Sequence, residues 1–190
     1  MAQQDPTRDR LLRATINLVS RSGPRGVSIR SIAREAGVTE GAVYRHFKSK
    51  DDLWREAHTV IVDEMLRQKE AIVASGLSAR EKLAAWIRST FANHDRNPEA
   101  FYYALLADHR APAILGPFYH RQGELFQQLV RNGQASGELR AMDPVLAMSH
   151  FSGLMLNVTR LVHEGALAAP ASRYTDEVAR AAWLVLGART

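Results

Sequence analysis

The 190-residue sequence contains no cysteine. That single absence excludes disulfides, thiolate metal sites and thiol nucleophiles. Seven prolines and twelve glycines are too few for a linker-rich or collagen-like chain. Long apolar runs are also missing. The longest stretch free of Asp, Glu, Lys and Arg is Pro144 to Thr159, and it carries Ser149, His150, Ser152 and Asn157, so no transmembrane helix is expected. The opening residues, MAQQDPTRDR, hold no apolar h-region and no cleavage site. No secretory signal is therefore expected, and the expected compartment is the cytoplasm. No G-x-G-x-x-G, P-loop, H-E-x-x-H or G-x-S-x-G occurs, so neither an enzyme nor a cofactor is expected. Asp108-His109 and His163-Glu164 are sequence neighbours that diverge on a helix. The histidines at 58, 94, 109, 120, 150 and 163 show no i, i+4 ligand spacing, and no metal site is expected.

What is present suits a packed core: 46% of residues are hydrophobic and 24% charged, which does not describe a disordered chain. The net charge of +5 is unevenly placed. Residues 1–50 hold ten Lys/Arg against four acids, while residues 51–190 hold fifteen against sixteen. A basic head on a nearly neutral body points to a polyanionic partner for the head, although a solvated basic surface gives the same count.

Helical spacing dominates throughout, and the expected fold class is all-α with about nine helices. Leu11, Leu12, Thr15, Leu18 and Val19 mark a first helix that ends at Ser22-Gly23-Pro24. Ser28 and Thr39 are placed to cap two short helices separated by Gly37. Ser49 with Asp52 resembles a capping box opening a helix from about Lys50 to Ala74. Ser78-x-x-Glu81 opens a fifth helix, to about Asn93, and Asn97-Pro98 a sixth, over Glu99–His109. A seventh is expected over roughly Pro117–Asn132, an eighth after Asp143-Pro144, and a last one capped by Thr175.

Residues 28–47, SIRSIAREAGVTEGAVYRHF, have the anatomy of a helix-turn-helix. Ala33 is small where two helices must approach, Gly37 can take the positive φ of the turn, and Val38, Val43 and Phe47 supply the inner side. The outer face is expected to present Glu40, Gly41, Ala42, Tyr44, Arg45 and His46, a surface suited to phosphates and base edges.

Residues 10–53 resemble the TetR family of bacterial transcription regulators. The resemblance rests on Arg10-Leu-Leu-Arg-Ala, Ser28-Ile-Arg-Ser-Ile-Ala, Ala36-Gly-Val-Thr-Glu-Gly-Ala-Val-Tyr-Arg-His-Phe and Lys48-Ser-Lys-Asp-Asp-Leu53. It implies a helix-turn-helix DNA-binding domain over 1–50 and a helical effector-binding and dimerisation domain over 51–190. The function implied is that of a repressor that binds a palindromic double-stranded operator as a homodimer and is released by a small, largely apolar effector. No catalysis and no membrane partner are implied. A transcriptional activator of the same fold and a helical adaptor that binds no DNA are the alternatives. The positions that match the family's DNA-contacting motif are Arg30, Thr39, Glu40, Gly41, Ala42, Tyr44, His46 and Lys50. Arg30 suits bidentate guanine contact, Lys50 suits a phosphate, and Ala42 could touch a thymine methyl.

The body offers patterns instead of motifs. Trp86, Phe91, Phe101, Tyr103, Phe118 and Phe126 are dense enough to enclose an apolar ligand or simply to form a core. Met65, Trp86, Phe91, His94, Phe101, Tyr103, His109, Phe118 and Asn157 are the candidate effector-binding residues. Met148, Phe151, Met155 and Val158, with Val178, Ala182 and Val185, form apolar stripes that fit a two-fold helical interface or the chain's own core.

Overall fold

The computed structural model describes residues 5–22, 26–105 and 112–187; at 20, 103, 104 and 112–119 it describes the backbone only. Among the described residues it is all-α. The helices are α1 (Pro6–Ser22), α2 (Ile29–Ala36), α3 (Glu40–His46), α4 (Lys50–Ala74), α5 (Ala79–Arg96), α6 (Pro98–Leu105), α7 (Pro112–Ala135), α8 (Pro144–His163) and α9 (Thr175–Leu186). A one-turn 3-10 helix, Ala171–Tyr174, precedes α9.

The expected caps account for most boundaries. Ser28 and Ser31 form a reciprocal capping box at α2, and Gly37 ends that helix in the left-handed region at φ 66. A side chain at that φ would clash with its own backbone, so glycine suits the position. Thr39 Oγ1 accepts the Ala42 amide at 3.3 Å, and Ser49 Oγ accepts the Asp52 amide at 3.1 Å. Asp52 in turn accepts from the amide of Lys48, one residue before the expected partner, at 3.0 Å. Asp143 Oδ1 accepts the amides of Val145 and Leu146 ahead of α8.

Two boundaries differ from the sequence reading. Helix α7 begins at Pro112, not near Pro117. Thr175 is not the cap of α9: its hydroxyl donates to the Ser172 carbonyl at 2.7 Å, because the 3-10 turn already leads the backbone into the helix.

The chain divides into two compact units, Met1–Val62 with Asn97–Ala107 and Asp63–Arg96 with Asp108–Thr190. These differ from the 1–50 and 51–190 division, because α6 packs on α1 and so joins the N-terminal unit. The core of that unit joins Leu11, Leu12 and Val19 of α1 to Ile32 and Ala33 of α2, and to Val43, Phe47, Leu53 and Ala57. Each large apolar side chain buried this way contributes about 1.5–3 kcal/mol.

In the second unit, α5 packs against α7, α8 and α9. Trp86 meets Phe126 edge-on at 5.5 Å and Phe151 at 6.4 Å, and Phe126 stacks on Phe151 at 4.7 Å. Gly133 permits the close passage of Leu139, since a Cβ there would stand 2.7 Å from Leu139 Cδ1. Long-range caps tie the ends. Glu138 accepts the Ala79 amide at 2.9 Å, and Asp95 accepts the amides of Ala171 and Ser172 at 2.7 and 2.9 Å. By length and composition α8 is apolar enough to cross a membrane. Here its inward residues Ala147, Phe151, Met155 and Val162 belong to the core of this unit.

Candidate functional site

The helix-turn-helix is built as its residue types demand. Val43 and Phe47 are buried beneath α3, while Thr39, Glu40, Gly41 and Arg45 are exposed, as is Arg30 on α2. Tyr44 is 57% exposed, a large amount for an aromatic ring. Lys50 is half-buried at the first position of α4. A cation there opposes the helix dipole, with Asp51 and Asp52 in the same turn to offset it. Among the described residues the arginine ion pairs of this unit are Arg8–Glu56, Arg21–Glu35 and Arg55–Asp52. They leave Arg30, Arg45 and Lys50 without an acidic partner among the described residues. A Cβ at Gly41 would meet nothing nearer than Thr39 Oγ1 at 4.0 Å, so packing within the head does not require glycine at 41.

Two of the residues expected on the outer face are turned inward. Ala42 is 6% exposed; it neighbours the fully buried Val43, and its small side chain offers little surface beyond the helix backbone. The expected thymine-methyl contact by Ala42 is corrected accordingly. His46 is 18% exposed, with Nδ1 3.4 Å from the Asp5 carboxylate, so it packs against the start of α1 instead of standing free. Arg8 lies on α1, paired with Glu56, its guanidinium 5.5 Å from the centroid of Phe47.

In the second unit the candidate ligand residues scatter. Met65, Trp86, Phe91 and His94 are buried. His94 Nδ1 lies 3.2 Å from Asp95. Asn157 is exposed on α8 and accepts from the Arg160 guanidinium at 2.9 and 3.2 Å, which places it outside any enclosed site. Phe101 is buried on α6, in the N-terminal unit. The side chains of Tyr103 and Phe118, and His109 entirely, lie outside the described residues.

The stripes read as a two-fold interface also need correction. Phe151, Met155, Val178 and Ala182 are buried in this chain's own core, and Met148, Val158 and Val185 pack against it. Helical periodicity identifies an apolar face but not what covers it. The large apolar side chains left exposed on α8 and α9 are Val145, Leu146 and Leu184, the last 82% exposed.

One residue of evident importance is absent from the sequence reading. Lys69 of α4 is 1% exposed. Its Nζ donates to the Trp86 carbonyl at 2.9 Å, to Thr90 Oγ1 at 2.8 Å and to Ser89 Oγ, and stands 5.2 Å from the Trp86 ring centroid. Burial alone pushes its pKa down to about 7, since the ammonium has given up water for neutral oxygens. The signal was present: Met65, Lys69 and Val73 recur every four residues on the buried face of α4, a position where lysine is anomalous.

A family model described as bacterial regulatory proteins of the tetR family matches residues 11–57. The transcriptional repressor KstR2 of Rhodococcus jostii is 33% identical over 107 residues, 56% of this chain and 47% of that protein. The chain thus spans about half the length of that relative. Among solved structures, a transcriptional regulator of Saccharomonospora viridis in complex with choline superposes with a TM-score of 0.85 at 20% identity, covering 98% of this chain and all of that one. The regulator FadR of Bacillus subtilis in complex with stearoyl-CoA gives 0.81 at 17% identity, over 92% and 96%. At these identities the likeness is one of fold.

Proposed function

We propose that the chain, whose residues 11–57 match the TetR family model, is a transcriptional repressor of that family, released from its operator by a small effector. The observation that carries this reading is the outer surface of α2 and α3. Arg30 of α2 and Tyr44 and Arg45 of α3 are all exposed, and among the described residues no carboxylate is paired with either arginine. Unpaired cations beside an exposed aromatic ring serve phosphates and base edges. Arg30 reads a base, Lys50 holds a phosphate, and the bare backbone at Gly41 lets α3 approach the groove. The protein carries no catalytic role in this reading and works in the cytoplasm.

Two copies associate through the outward sides of α8 and α9, where Leu146 and Leu184 are exposed and Ser149 and Gly153 allow close approach. A two-fold dimer presents two recognition helices to half-sites about one DNA turn apart. The choline and stearoyl-CoA of the two similar structures support a small-molecule effector for this chain too. Because α4 is one helix from Lys50 to Ala74, an effector held against its second half can act on the residues at its start.

The test is duplex affinity at a series of salt concentrations. A steep fall of log K with log salt, together with preference for one sequence, supports the repressor. A flat dependence with no sequence preference removes it and leaves the adaptor.

A further inference from the structure

Helix α4 carries an apolar face into the second unit, and in the middle of it stands a cation. Met65 and Val73 are buried one turn to either side of Lys69. A hydrophobic side chain would fill that position at lower cost, because a buried ammonium forfeits several kcal/mol of hydration. No ion pair among the described residues includes Lys69, and carboxylates elsewhere in this unit are engaged with other partners. Glu64 is held by Arg67 and Gln68, Glu70 and Glu124 by Arg121, and Asp95 by the amides of 171 and 172 and by His94. Burial is the sole cause that moves its pKa, and no charged group among the described residues acts on it.

The three groups that receive the ammonium's protons are neutral, and two of them can turn. The hydroxyls of Ser89 and Thr90 accept from Lys69 while donating to the Trp86 carbonyl at 3.1 and 2.9 Å. A hydroxyl that swings off that carbonyl becomes a donor to something else. One ammonium and two such hydroxyls on adjacent residues of α5 make a ready set of donors for an anionic oxygen. Ser89 is half-buried, so of the three groups around the ammonium it is a side chain that solvent still reaches. Around them Met65 and Trp86 supply apolar wall.

We propose that Lys69, with the hydroxyls of Ser89 and Thr90, is a binding site for the anionic head of an amphipathic effector, a carboxylate or its equivalent on an apolar body. This deepens the repressor reading by giving the class of its effector. An anion at the ammonium restores the charged form, so binding above neutral pH must draw a proton from solvent. A neutral head gains less, and a quaternary ammonium, which has no lone pair to accept from these donors, gains nothing from them.

The experiment is titration calorimetry of the full chain with decanoate, decanol and decyltrimethylammonium at pH 8, in two buffers of different ionisation enthalpy. Decanoate is expected to bind most tightly and to take up close to one proton per molecule bound. Lys69→Met, checked for folding by near-ultraviolet circular dichroism, is expected to weaken decanoate about tenfold or more while leaving decanol nearly unchanged. The proton count on the unmodified chain stands even if the variant fails to fold. Decanoate binding without proton uptake, equal decanoate affinity in Lys69→Met, tightest binding by the cationic probe, or binding by none of the three overturns the proposal. The two readings fail separately. A chain that selects a DNA sequence but shows no proton-linked decanoate binding loses only this inference. One that binds decanoate with a proton but no duplex loses only the repressor.

Discussion

The carboxylate of Asp95, at the end of α5, accepts the backbone amide of Ala171 at 2.7 Å, across 76 residues of sequence. It accepts the amide of Ser172 at 2.9 Å as well, so one side chain caps the 3-10 turn that leads into α9. Burial pushes Asp95 up, but the hydrogen bonds from Ser172, Ala171 and His94 outweigh it and hold the carboxyl below its usual range. Asp95→Ala leaves those amides without an acceptor and should cost about 1–3 kcal/mol of stability in urea unfolding. A carboxyl whose folded pKa is depressed contributes stability above its unfolded pKa and loses it as pH falls through the folded value. The difference between the two proteins should therefore be full at neutral pH and shrink below about pH 4.

Lys69 predicts the opposite slope. Its pKa is about 7 when folded and 10.5 as a free side chain. Between those values the unfolded chain holds a proton that the folded chain has released, so stability rises with pH. Lys69→Met should be more stable than the parent below pH 7, by an amount on the order of a few kcal/mol. That advantage should fade as pH climbs toward 10. A difference independent of pH across that span would contradict the buried ammonium.

Gly41 separates folding from recognition. Since a Cβ at 41 meets open space and alanine favours helix, Gly41→Ala should raise stability by roughly 0.5–1 kcal/mol. It should also weaken duplex binding, because the added methyl stands where the backbone must approach DNA. Tighter binding by the variant would show that α3 does not approach DNA through Gly41.

Lys50 reports on phosphate contact. Lys50→Ala should weaken specific and random duplexes alike and lower the salt slope by about 1 per half-site, or about 2 for a dimer. An unchanged slope would take Lys50 out of the interface.

The elements legible in the sequence are those set by neighbours a few residues apart. Ser28, Gly37, Thr39 and Asp143 act within one turn of their own helix, and their roles follow from local chemistry. Asp95 and Glu138 are not legible as functional because their partners lie 59 to 77 residues away, whereas Lys69 shows in the sequence only as a cation on an apolar helix face. Phe151 and Met155 show a different limit: their spacing marks an apolar face, but only the packing of α7 and α9 decides that the face is internal. Ala42 and His46 stand on the helix expected to contact DNA. The burial of one and the Asp5 pairing of the other depend on tertiary detail that helical spacing does not carry.

Selection of bound duplexes from a random-sequence pool, run on the chain and on Arg30→Ala, tests the repressor reading most directly. An enriched inverted repeat with half-sites about one helical turn apart is expected for the chain. For Arg30→Ala the loss should be ~1–3 kcal/mol per half-site on that repeat and much less on random DNA. Enrichment of no sequence, or of a single asymmetric site bound equally by both proteins, would contradict a two-fold regulator that reads bases through Arg30.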